Sequence, residues 1–174
     1  MIQLRAARPA DASAIARIDA DTWATAYHGI LPPVSRLAHG YDARLKFWKL
    51  HLIRAPQGVF LAEDVGIGPM GFVSCGPARE PIRTADGNFR GEIYALYVRP
   101  VCQGMGLGRQ LLDAAIGNLL KAGYSAAMLW VLTENPATGF YHHIGGRVIG
   151  ERNISLGGKQ IAETAYGWGG APSP

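Results

Sequence analysis

The chain is short of cysteine, of charge and of long apolar runs, and each shortage excludes a class of protein. Only Cys75 and Cys102 are present, neither in a CxxC pair nor near a set of histidines or acids at ligand spacing, so neither a disulfide framework nor a metal site organises the fold. The longest uninterrupted apolar stretch, Ala126–Leu132, has seven residues, where a membrane span needs about 20. Met1-Ile2-Gln3-Leu4-Arg5 has no apolar signal core behind a basic start, and the expectation is a cytoplasmic protein with reduced thiols and no membrane partner. Charged residues are only 17% of the chain, and the 17 Lys and Arg form no run that could follow a phosphate backbone, so no nucleic-acid partner is expected. The pI near 9.3 suits a small anionic ligand. There is no internal repeat, and the one biased tract is the glycine- and proline-rich tail from Gly167, expected to fray.

What is present is a folded composition: 48% apolar residues with a mean hydropathy of +0.05 over 174 residues. The size points to a single domain over residues 1–170 with a flexible tail at 171–174. Residues 2–6 read as a strand, and Pro9-Ala10-Asp11 as a helix start capped by Asp11, with Ile15, Ile18 and Thr22 or Trp23 on its buried side. Pro32-Pro33 breaks the chain before a second helix over residues 41–53, carrying Leu45, Trp48 or Lys49 and Leu52 on one side. Residues 59–63 and 70–75 read as an antiparallel hairpin, and residues 76–90, polar with two prolines, as a mobile loop.

Residues 91–99 make the clearest strand, β-branched and aromatic, closed by Pro100. A glycine-rich loop follows, then a helix whose stripe of Leu107, Leu111, Leu112, Ala115, Ile116, Leu119 and Leu120 ends at Gly123. Residues 126–132 read as a central strand, 135–143 as a short helix, and 147–156 with 159–168 as a terminal hairpin around Gly157-Gly158. The pattern predicts an α/β fold with a mixed sheet.

The loop carries the chemistry. Between strand and helix stand Gln103, Gly104, Met105, Gly106, Leu107, Gly108 and Arg109. Unpaired N–H groups at a helix start attract anions, and glycines let a phosphate approach them. A dinucleotide fingerprint fits poorly, because Arg109 interrupts it and no acid stands near Met128. A triphosphate loop would need Lys-Ser/Thr where Arg109-Gln110 stands.

The pattern Q/R-x-x-G-x-G/A, met by Gln103, Gly106 and Gly108, resembles the acetyl-CoA loop of the GCN5-related N-acetyltransferases. The similarity extends over LYVRPVCQGMGLGRQLL and LWVLTENPATGFYHHIGG, some way beyond the loop in both directions. It implies a centrally splayed mixed sheet flanked by helices, with acetyl-CoA as the cofactor. The backbone of Leu96, Tyr97 and Val98 would pair with the pantetheine arm, residues 103 to 109 would hold the pyrophosphate, and Asn135 would bond the arm. Tyr141 is similar to the family's general acid. Glu92, which opens the splayed strand and by period-two alternation shares a face with Tyr94 and Leu96, is the candidate base, directly or through a water. A solvated carboxylate at a strand entry, an Asx turn at Asn135 and an aromatic packing role for Tyr141 are the plainer readings. Gly146 stands where the family usually has Phe, an expected loss of packing.

The acceptor site in the family lies among the first two helices, which here offer Trp23 and Tyr27 as substrate-binding candidates, with Tyr41, Phe47 and Trp48 as further lining or core. The expected activity is direct transfer of acetyl to a primary amine of a small molecule or peptide in a ternary complex, in a chain that can form a homodimer. A non-catalytic acyl-CoA-binding module and a nicotinamide oxidoreductase are the alternatives. No metal is expected, and Cys102 and the histidines have no catalytic part in this reading.

Overall fold

The structure, a computed structural model, describes residues 1–29, 39–156 and 158–169. The expected break at Pro32-Pro33, Gly157 of the terminal turn and the chain beyond Gly169 lie outside the described residues. The elements run β1 (Ile2–Ala6), α1 (Ala12–Ala26), α2 (Tyr41–Arg54), β2 (Val59–Asp64), β3 (Gly68–Thr84), β4 (Gly87–Val98), α3 (Leu107–Lys121), β5 (Ala126–Leu132), α4 (Thr138–His143), β6 (Arg147–Leu156) and β7 (Lys159–Gly169).

Among the described residues these strands form one seven-stranded sheet in the order β1-β2-β3-β4-β5-β7-β6. Every neighbouring pair is antiparallel except β4 and β5, joined in parallel through the α3 crossover. The leucine stripe of α3 buries Leu107, Leu111, Leu112, Ala115 and Leu119 against Val73, Ile93 and Leu129 on one face. Leu120, counted in that stripe from its spacing, faces out at 55% exposure. On the opposite face α1 and α2 pack Ile15, Ile18, Trp48 and Leu52 on Leu61 and Phe72. The helix α3 ends as its sequence requires, with Gly123 at φ 90° and the Tyr124 N–H bonded to the Leu119 carbonyl at 3.1 Å.

Three expectations need correction. Residues 76–90 are not a loop: β3 runs on to Thr84 and β4 begins at Gly87, pairing Ile82 with Phe89 and Arg83 with Asn88. The prolines are tolerated because Pro77 and Pro81 border a register break, where no ladder N–H is required. Asp11 does not cap α1. Its carboxylate turns back to the Arg8 N–H at 2.7 Å and to Arg5 at 2.7 and 2.8 Å, tying β1 to the chain before α1. The tail does not fray from Gly167, since Gly167 pairs with Met128 and Gly169 with Ala126.

Candidate active site

The site is built where β4 and β5 part. They pair only at Gly91 with Ala127 and Glu92 with Met128. Beyond that point β4 bonds β3 alone, through Leu96 to Val73, Tyr97 to Phe72 and Val98 to Gly71, while β5 bonds β7. The facing edges of the two strands therefore carry main-chain donors and acceptors with no strand partner, an edge that an extended ligand can complete. This is the splay that the sequence only implied.

A bulge sets which side chains enter the fork. Ser74 pairs with Ala95 and Cys75 with Ile93, leaving Tyr94 as the extra residue on β4. Ile93, Leu96 and Val98 consequently share the α3 core, and Ala95 and Tyr97 the α1 side. A Cβ on Gly91 would meet Leu119 of α3 at 3.1 Å, so its neighbour Glu92 points to the α1 side, with Ala95 and Tyr97. The alternation that grouped Glu92 with Tyr94 and Leu96 fails at this bulge.

Glu92 stands at the base of the fork with 1% of its side chain exposed, so it is not a solvated carboxylate. Its Oε2 accepts the Arg79 main-chain N–H at 2.8 Å, and its Oε1 accepts Arg79 Nε at 3.1 Å and Arg79 Nη2. A buried carboxylate needs this compensation. Burial lowers and the paired charge raises the Arg79 pKa, and the pairing with Glu92 prevails.

Across the fork, the Tyr27 phenol, just past the end of α1, faces the side chains of Asn135, which follows β5, and Tyr97 of β4. Burial pushes both phenols upward. Asn135 also makes the Asx turn, its Oδ1 accepting the Ala137 N–H at 2.9 Å, so the local and the site readings of this residue coexist. Tyr141, carried by α4, is buried at 7% exposure between Phe140, Tyr166 and Trp168. Burial, with a smaller contribution from Tyr27, lifts its pKa well above the ordinary phenol value, so its proton is retained at neutral pH.

The loop matches its sequence closely. Gly104 and Gly106 sit at φ 77° and 75°, where a Cβ would be strained. The first loop-to-helix bond is Gln110 N–H to the Gly106 carbonyl, so the N–H groups of Leu107, Gly108 and Arg109 have no main-chain acceptor among the described residues. Gly108 is needed for another reason: a Cβ there would lie 2.9 Å from Cζ of Phe140, the ring that couples the start of α3 to α4. Gln103 donates its Nε2 to the Val98 carbonyl at 3.2 Å, tethering loop to strand edge. Met105 is exposed, Leu107 buries its side chain and offers only main chain, and Arg109 is exposed beside Asp113.

Trp23 packs with Leu132 and Ile161 and stacks on His39 at 4.2 Å, 5.3 Å from Tyr27. The other aromatic candidates leave the site. Trp48 is core, donating its indole N–H to Asp19 at 2.7 Å, while Tyr41 lies under Arg17 and Phe47 under Arg44. Cys102 is buried, and burial raises the Cys75 thiol to about 11, so Cys75 offers no ready thiolate. Arg79 and the hydroxyl of Tyr97 were missed in sequence. Arg79 lay in a run whose polarity and prolines suggested a loop, and Tyr97 was considered for its main chain alone.

With this geometry in hand, the relatives are informative. The pattern of the acetyltransferase (GNAT) family matches residues 18–145. An uncharacterised N-acetyltransferase, YuaI, of Bacillus subtilis (strain 168) is 33% identical over 168 residues, covering 97% of this chain and 93% of that protein. A GCN5-related N-acetyltransferase of Rhodopseudomonas palustris has the same fold at a TM-score of 0.71 and 22% identity, over 96% of this chain and 94% of that one. So does yncA, a proposed acetyltransferase of Salmonella typhimurium solved with acetyl-CoA, at a TM-score of 0.68 and 22% identity over 100% and 95%. A seven-stranded sheet parted at β4 and β5, a glycine loop at the parting and a family pattern spanning both have one meaning: this chain belongs to the acetyltransferase (GNAT) family.

Proposed function

We propose that the protein is an acetyl-CoA-dependent N-acetyltransferase that acetylates a primary amine by direct attack in a ternary complex. The observation that carries the reading is the two-pair contact of β4 and β5, with an open strand edge on one side and free helix N–H groups at its end. These fit the two polar parts of an acyl-CoA: amides along an extended arm, and a pyrophosphate. Leu96, Tyr97 and Val98 hold the arm by their main chain with Asn135 beside them, and Gln103 through Arg109 hold the pyrophosphate. Acetyl-CoA supplies the acetyl group, whose carbonyl carbon bonds to the amine nitrogen as its bond to sulfur breaks. Tyr141, kept protonated by burial, donates to the departing sulfur. Glu92 takes the proton that the nitrogen loses, directly or through a water. Trp23 and Tyr27 form the acceptor-side wall. Two buried free thiols suit a reducing cytoplasm.

The test is a screen of amines with acetyl-CoA, reading thiol release and acetylated product mass together. Release of thiol with an N-acetylated product is expected. Saturable binding of acetyl-CoA with no product from any amine would favour a non-catalytic binding module instead.

A further inference from the structure

The ion pair at the base of the fork is only half used. Glu92 engages Nε and one Nη2 proton of Arg79 on a single oxygen. The outer edge of the guanidinium, Nη1 and the second Nη2 proton, has no partner among the described residues, and the Arg79 side chain is 67% exposed. That edge grips a planar carboxylate through two parallel hydrogen bonds. The backbone explains how Arg79 arrives there. Pro77 pairs with Gly91 and Ile82 with Phe89, leaving residues 78–81 opposite Arg90 alone, so this stretch bulges from the ladder and returns its N–H to Glu92.

A second unpaired donor lies in the cluster formed by sequence neighbours of Arg79. The Nε1 of Trp130 is buried with no hydrogen-bond partner among the described residues, and Trp130 packs in one cluster with Ala78 and Ile82, on either side of Arg79. A buried indole N–H without a protein acceptor calls for another partner, an ordered water or a ligand atom. The acids nearby do not compete for these donors, since Arg152 holds both Glu80 and Glu163.

We infer that the acceptor is a zwitterion whose amine and anionic group are carried on one carbon, as in a free α-amino acid. Glu92 faces the ammonium side, and the outer edge of Arg79 takes the carboxylate. The inference rests on the acetyl-transfer reading, because it needs the amine beside Glu92. It disfavours polyamines and peptide N-termini, which lack a carboxylate next to the reacting nitrogen.

The experiment uses matched series built on alanine, leucine, methionine and phenylalanine, each as the free acid, the amide and the decarboxylated amine. Each compound is titrated calorimetrically into the full chain saturated with coenzyme A, and kcat/KM is then measured with acetyl-CoA. In at least one series the acid should bind and react about tenfold or more better than its amide, the worth of a charge-assisted hydrogen-bonded pair. Arg79→Gln should erase that preference while coenzyme A binds as before. Arg79→Lys, which keeps a cation beside buried Glu92, should fold normally and lose part of it. Equal or better binding of amides in every series, or a preference intact in both variants, overturns the inference and leaves the acetyl-transfer reading standing. Failure of wild-type protein to bind coenzyme A removes both.

Discussion

Single residues divide into those whose role is visible in spacing and those set by what folds over them. Gln103, Gly104, Gly106 and Gly108 belong to the first group, because a helix start exposes N–H groups in any context and left-handed backbone selects glycine. Even here the structure separates reasons that the pattern merges, since Gly108 serves Phe140 rather than backbone freedom. Glu92 belongs to the second group. Its burial depends on Arg79, thirteen residues away across a register break, and no local pattern reveals that partner. For Tyr141 the enclosing rings come from α4 and β7, and they keep the phenol protonated. Tyr141→Phe should therefore lower kcat by about 10²-fold or more while coenzyme A affinity changes little. Steady-state kinetics beside calorimetry checks this, and an unchanged kcat removes the donor role.

At the scale of elements, helices and core strands were legible because apolar period decides them. Sequence periodicity gave α2, α3, β5 and the terminal hairpin nearly to the residue. What escaped was the distal half of the β3–β4 hairpin. None of its residues from Gly76 to Thr84 is buried, and residues 79–81 are exposed in a row, so hydrophobicity carries no strand signal although the ladder forms. The bulge at Tyr94 escaped for a related reason, since an extra residue inside an apolar run leaves no mark on composition. Gly146 shows the reverse, an apparent loss repaired from another element. A Cβ there would meet the Tyr141 carbonyl at 2.7 Å and the Trp168 indole at 2.8 Å, because Trp168 of β7 fills that space and bonds the Ile144 carbonyl. Gly146→Phe alone should destabilise the fold by about 1–3 kcal/mol through overpacking. Adding Trp168→Ala should restore part of the loss, and thermal unfolding of the single and double variants would expose a lack of coupling.

For the whole molecule, one topological fact joins fold and function. A parallel pair inside an otherwise antiparallel sheet is held at two residue pairs, with α1 and α2 packed on one face and α3 on the other, and beyond those pairs the two strands bond other neighbours. The fork joins an unsatisfied strand edge to a helix N-terminus, its α1 side brings Tyr97, Tyr27 and Asn135 together, and Glu92 stands at its base. Composition and period could give the α/β class but not the parting of two strands, which depends on long-range pairing. The most direct test is a calorimetric titration of the folded chain with coenzyme A. Saturable binding at one site per chain, weakened when Gly106→Ala strains the loop by about 1 kcal/mol, is the predicted result. An absence of saturable heat with coenzyme A on protein shown to be folded would contradict the account.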